Sequence, residues 1–95
     1  MDYKEELNKL KKHRKQYHPV MAGIMDMHDH LNQAEFPIII TALKEMLIIC
    51  ELLDIGYLDP NALIVKKKFD DITGVLYNGE YPLTEKGELF FIQNK

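Results

Sequence analysis

Three groups of residues could do chemistry. Cys50 is the single cysteine. A thiol reacts as its thiolate, which needs exposure and a base or positive charge nearby. Cys50 instead sits between Ile49 and Glu51 in an apolar segment, and reads as a small buried hydrophobe. One cysteine also excludes an internal disulfide and any four-cysteine metal site. The second group is DMHDH, residues 26–30, where Asp26 and His30 stand four apart and share a helix face. Two such side chains can begin a divalent-cation site. No HExxH string or second His/Asp cluster supplies further ligands, so a solvated polar face is expected, with no metal and no cofactor. The third is the carboxylate pair Asp70–Asp71, which would need a cleft to act as acid and base. The chain has no serine, hence no Ser–His–Asp triad, and its five glycines form neither a GxGxxG string nor a P-loop. An enzyme is not expected.

The elements that must position these residues are organised around FPIIITALKEMLIICELLDI, residues 36–55, in which fourteen of twenty residues are apolar. At 100° per residue it predicts a helix with an apolar face much wider than the usual stripe. Ile38, Ile39, Ile40, Ala42, Leu43, Met46, Leu47, Ile49, Cys50 and Leu53 make that face. Thr41, Lys44, Glu45 and Glu51 make a polar back, into which Ile48 and Leu52 intrude, with Ile55 nearby. The four charges from Lys44 to Asp54 argue against a membrane span. Pro37 suits the first helical turn and Gly56 the position after the last.

Around it, residues 2–17 predict a helix with a thin Tyr3/Leu7/Leu10/Tyr17 stripe and a basic surface. Pro19 divides it from a second helix over 19–33, striped by Val20, Ile24, Met27 and Leu31. GYLDPN, residues 56–61, is a turn that ends on a helix start, and the 65/69/72/76 spacing of Val65, Phe69, Ile72 and Leu76 predicts a helix over 60–77. The rival reading makes Ala62–Lys67 a strand, Asp70–Gly74 a turn and Val75–Tyr77 a second strand, supported by Ile72, Thr73 and Val75. Thr84 caps a closing helix with Glu85 in its first turn, and Phe90 and Phe91 dock it on the body. The expected fold is all-α: one compact domain, residues 1–95, of about five helices around a central buried helix at 36–55.

LLDIGYL, residues 52–58, followed by YPLTEKG, residues 81–87, resembles the frame of winged-helix regulators. The resemblance covers residues 45–92. It implies a winged helix with a small β-hairpin within 62–83, an LTEKG segment that opens the closing helix, and a recognition helix within Thr41–Ile55. It also implies nucleic-acid binding.

Composition is that of a globular protein, with 46% hydrophobic and 28% charged residues and a net charge of −3. The charge is uneven: residues 1–20 carry +3 and the rest −6. The first fifteen residues are mostly charged and hold no apolar signal region, so a reducing, cytoplasmic setting is expected. Abundant Lys and Ile with one Arg and no Ser suggests an AT-rich bacterial or phage genome. The favoured function is a small non-enzymatic regulator or adaptor that binds another protein. It is expected to be a homodimer through Thr41, Glu45, Ile48, Leu52 and Ile55 on the back of the central helix. The alternative is a winged-helix nucleic-acid-binding regulator that contacts phosphates through Lys9, Lys11, Lys12, Arg14, Lys66, Lys67 and Lys68. Extended backbone across Ala62–Lys67 paired with Val75–Tyr77 would establish the wing and reverse the ranking of the two functions. The apolar central helix and the lone Arg14 weigh against it, because base readout favours bidentate Arg.

Overall fold

The computed structural model describes residues 3–94, and their side chains from Arg14 to Asn94. The chain runs α1 (Tyr3–His30), a 3-10 turn (Gln33–Glu35), β1 (Ile38–Ile40), α2 (Leu43–Asp54), β2 (Leu63–Lys68), β3 (Asp71–Tyr77) and α3 (Glu85–Gln93). The three strands form one antiparallel sheet in the order β1-β3-β2. The all-α expectation is therefore wrong, and the fold is mixed α/β with three α-helices.

Three differences account for this. The helices expected on either side of Pro19 are one helix. Proline removes one bond to the carbonyl four residues earlier. Pro19 and Lys15 are both exposed, so that carbonyl lies on the hydrated side and the helix continues. The central helix begins at Leu43, not at Phe36, because Ile38–Ile40 pair with Val75–Tyr77 as an edge strand. Three consecutive β-branched residues suit a pleated ladder better than a helix. Residues 60–77 are a hairpin, not a helix. Its strands lie close to those of the rival reading, but the turn falls at Phe69–Asp70, two residues between Lys68 and Asp71. The 65/69/72/76 stripe was accidental: Phe69, one of its four members, is 92% exposed.

The sheet has two unlike faces. Ile38, Tyr77 and Leu63 stand in register across the strands, as do Ile40, Val75 and Val65. These rows face the core, where Tyr77, Leu63 and Val75 are fully buried. The core is completed by Tyr17, Met21 and Ile24 of α1, by Met46, Ile48, Ile49 and Leu52 of α2, and by Leu58, Leu83 and Phe90. The other face carries the row Ile39–Leu76–Ile64, of which Ile39 and Ile64 are exposed.

The turn after α2 positions the closing helix. Gly56 adopts φ 83, a left-handed conformation that costs glycine nothing. The N–H groups of Tyr57 and Leu58 then donate to the Leu52 carbonyl, ending α2. Leu58 bridges to Leu83, and the Asp59 N–H donates to the Pro82 carbonyl at 2.8 Å. The Thr84 N–H donates to the Tyr57 carbonyl, and the Thr84 hydroxyl to the Gly56 carbonyl. The same hydroxyl oxygen accepts from the Gly87 N–H at 3.0 Å, capping α3. Asp59 starts no helix; its carboxylate accepts from the Asn61 N–H within a turn. Phe90 is buried, edge-on to Tyr17 and stacked on Tyr57.

Candidate functional site

Helix α2 rotates relative to the sequence expectation by roughly a quarter of a turn about its axis. Met46, Ile48, Ile49 and Leu52 are buried, whereas Leu43 is 66% and Leu47 45% exposed. The reason is that the sheet and α1 cover the side taken from sequence as the back. Tyr17 of α1 reaches over it and donates its hydroxyl to Glu51 at 3.1 Å. Burial, and then the nearby Glu51 carboxylate, push the Tyr17 phenol up to about 12.

The self-pairing face expected at Thr41, Glu45, Ile48, Leu52 and Ile55 is thereby corrected. Ile48 and Leu52 are 2% and 0% exposed and lie in the same core as Tyr17, Met21, Leu63 and Val75. Thr41 and Glu45 are exposed at the start of the helix and Ile55 is half-buried at its end. The five residues do not share one open surface.

What faces out instead is the line Leu43, Leu47, Cys50 and Asp54, at spacings of four, three and four. Leu43 and Leu47 lie one turn apart, with Lys44 beside them. Cys50 is half-buried, and desolvation followed by the Asp54 charge pushes its thiol up, with Lys67 opposing. That shift works against a thiolate nucleophile. On the other side of α2 a cleft of about 530 Å³ opens between α1 and the β1–α2 junction. Pro19, Gly23 and Met27 form one wall, Ile39 and Ala42 the other, and Glu45 stands at its edge.

The basic residues lie on separate elements. Arg14 is on α1, with its guanidinium 5.8 Å from the centre of the Phe90 ring. Lys66, Lys67 and Lys68 are all exposed on the distal half of β2, where Lys68 stands opposite Asp71. The side chains of Lys9, Lys11 and Lys12 lie outside the described ones. Between Lys66 and Lys67 the register shifts, and the Thr73 hydroxyl donates to the Lys66 carbonyl across the irregularity. At the hairpin tip Phe69 has φ 57, a conformation that glycine or asparagine takes far more readily.

Of the residues weighed for metal binding, only Asp26 and His30 come together. The exposed Asp26 and His30 pair with each other at 3.1 Å. His28 turns away: its Nδ1 is 3.1 Å from the Gly79 carbonyl, and its ring meets Tyr81 edge-on. Among the described residues no group of three or more His, Cys, Asp or Glu could hold a metal ion. Asp70 and Asp71 are exposed at the hairpin tip.

Sequence reasoning missed Leu43 and Leu47 as surface residues, and the exposed Ile39–Leu76–Ile64 row. The III run at 38–40 was the available signal, since one strand in place of the first helical turn shortens the helix and frees its rotation. Among the described residues no helix is long and apolar enough to cross a membrane. No family model, no curated protein and no solved structure matches the chain.

Proposed function

We propose that this protein is a small non-enzymatic cytoplasmic regulator or adaptor that acts by contact with another protein. The outward face of α2 supports this reading. Leu43 and Leu47 present two large aliphatic side chains one turn apart on a helix whose other face is anchored in the core. Burying each side chain fully is worth about 1.5–3 kcal/mol, and both are already partly covered, so the pair offers a partner about 2–3 kcal/mol. That is the size of contribution made by the few anchors that dominate an interface. Lys44 and Asp54 supply a polar rim. The test is the double substitution Leu43→Glu with Leu47→Glu. Both sites face solvent, so the variant is expected to fold as the wild type does by circular dichroism. A host protein that the wild type captures stoichiometrically is expected to be lost. Equal capture by the variant would overturn the assignment of this face.

A second reading has its own observation. The hairpin of β2 and β3 carries three exposed lysines beside a 92% exposed Phe69, and it lies where the winged-helix resemblance puts the wing. Lysines on phosphates with an aromatic at the tip are a workable nucleic-acid contact. By the expectation stated from sequence, the paired hairpin alone would rank this reading first; the face of α2 is what keeps it second. A helix that reads bases needs Arg, Asn or Gln on its outer side, and α2 offers Leu43, Leu47 and Asp54. A tight complex with one duplex sequence at physiological salt, lost on charge reversal of Lys66–Lys68, would decide for nucleic acid. Weak binding that salt removes for every sequence would decide against it.

A further inference from the structure

The outward line of α2 is flanked by charges set against its own helix. Lys44 lies in the first turn, where unpaired backbone N–H groups already make the end positive. Asp54 is the last residue, where unpaired carbonyls make the end negative, and the last turn holds no basic residue. Both side chains are exposed, and among the described residues neither takes part in an ion pair. The N-cap position is Ala42, whose methyl group accepts no hydrogen bond from the first turn. Between these ends lie Leu43 and Leu47, both exposed, and the half-buried Cys50. One end of the helix lacks a capping anion, and the other carries an anion that its own dipole disfavours. The two ends of α2 are therefore complementary to each other.

We propose that α2 pairs antiparallel with α2 of a second copy through the line Leu43, Leu47, Cys50 and Asp54. This rests on the reading of that face as a docking surface and names its occupant. A two-fold axis passing between Ile48 and Ile49 sets Leu43 level with the partner's Asp54, and Leu47 level with the partner's Cys50. Helix α2 has 12 residues, so its two ends are about 16 Å apart and meet their opposites only in this orientation. Each Asp54 carboxylate then meets the uncapped first turn of the other copy. Each Lys44 meets the other copy's Asp54 and its carbonyl end. The symmetry makes every contact twice, and the four leucines close over the middle. A parallel pair would set Lys44 beside Lys44 and Asp54 beside Asp54. An unrelated apolar surface would cover the leucines and leave both charges as they are. A single helix pair is a small interface, so association in the micromolar range is expected.

Sedimentation of the full chain across micromolar concentrations tests the proposal. The wild type is expected to pass from monomer to dimer. Lys44→Asp and Asp54→Lys should each weaken self-association about tenfold, because each sets like charges together at both ends. Mixed one to one, the two variants should associate again, since opposite charges then meet. Each variant also corrects one end of its own helix, so each should melt no lower than the wild type at dilutions where all are monomers. Lower melting of either would show that the charge serves the chain's own fold and would overturn the pairing, as would a mixture that does not recover. Orientation is read in a Cys50→Ala background. Under mild oxidation Leu43→Cys and Asp54→Cys should link to each other and neither to itself; the reverse would overturn the antiparallel geometry. A wild type that stays monomeric throughout would overturn the second copy. If Leu43→Glu with Leu47→Glu nonetheless abolishes capture of a host protein, the docking face stands without it. A dimer that survives that double substitution would overturn the placement of the pairing on α2.

Discussion

The turn after α2 and the tip of the β2–β3 hairpin are both short connections, and they are held in opposite ways. At the first, backbone groups from Leu52 to Asp59 are tied to each other and to Pro82, Thr84 and Lys86. An added Cβ on Gly87 would lie 1.9 Å from the Tyr57 carbonyl oxygen, closer than any packing allows. At the second, Phe69 is almost wholly exposed and holds a backbone conformation that costs a non-glycine residue about 1–2 kcal/mol. Stability is concentrated where the chain closes on itself. The tip is unfavourable on backbone grounds and gains nothing from packing, which is where a contact with something else is most easily accommodated.

Four substitutions would sharpen or break that contrast. Leu52→Lys should have the largest effect. Its side chain is fully buried and its carbonyl accepts both turn N–H groups, so a charge there should cost more than about 4 kcal/mol and leave the chain unfolded at room temperature by circular dichroism. Retention of a folded monomer would mean that this face is not core. Gly87→Ala comes next, at about 3 kcal/mol, because the obstructing atom is backbone and α3 must move to admit the methyl group. Denaturant titration measures it, and a midpoint unchanged from wild type would refute the close approach. Thr84→Ala removes the cap of α3 and a bond to Gly56, for about 1–2 kcal/mol by the same titration. Phe69→Asn should be the smallest and of opposite sign. Relief of the left-handed φ is expected to stabilise the chain by about 0.5–1 kcal/mol, read as a rise of a few degrees in Tm. A loss of stability there would show that Phe69 packs against the chain.

Local signals were legible in the sequence and distant pairings were not. Thr84 as a cap, Gly56 as a helix end and Phe90 as a docking residue all depend on neighbours within a few positions, and each stands in the structure. The strands depend on Ile38 meeting Tyr77 and Leu63 meeting the same residue from the other side, which no local window contains. The spacing of Val65, Phe69, Ile72 and Leu76 fits a helix equally well, and only tertiary pairing decides between the two. Pro19 misled in the other direction, because the break it predicts depends on whether water can reach the freed carbonyl. The candidate site suffered most. Leu43 and Leu47 have the composition of core residues, and only the start of α2 after the III strand turns them outward.

Among the described residues the strand order leaves both borders of the sheet unpaired, and this bears on edge-to-edge association at high concentration. Unpaired strand borders are templates for the borders of other molecules, and chains blunt them with short strands, bulges and lysine. Here β1 is three residues long and follows directly on Pro37, while β2 carries Lys66, Lys67 and Lys68 along its outer half beside a register irregularity. The lysine run therefore works against edge-to-edge growth of the sheet into filaments, whatever else it touches.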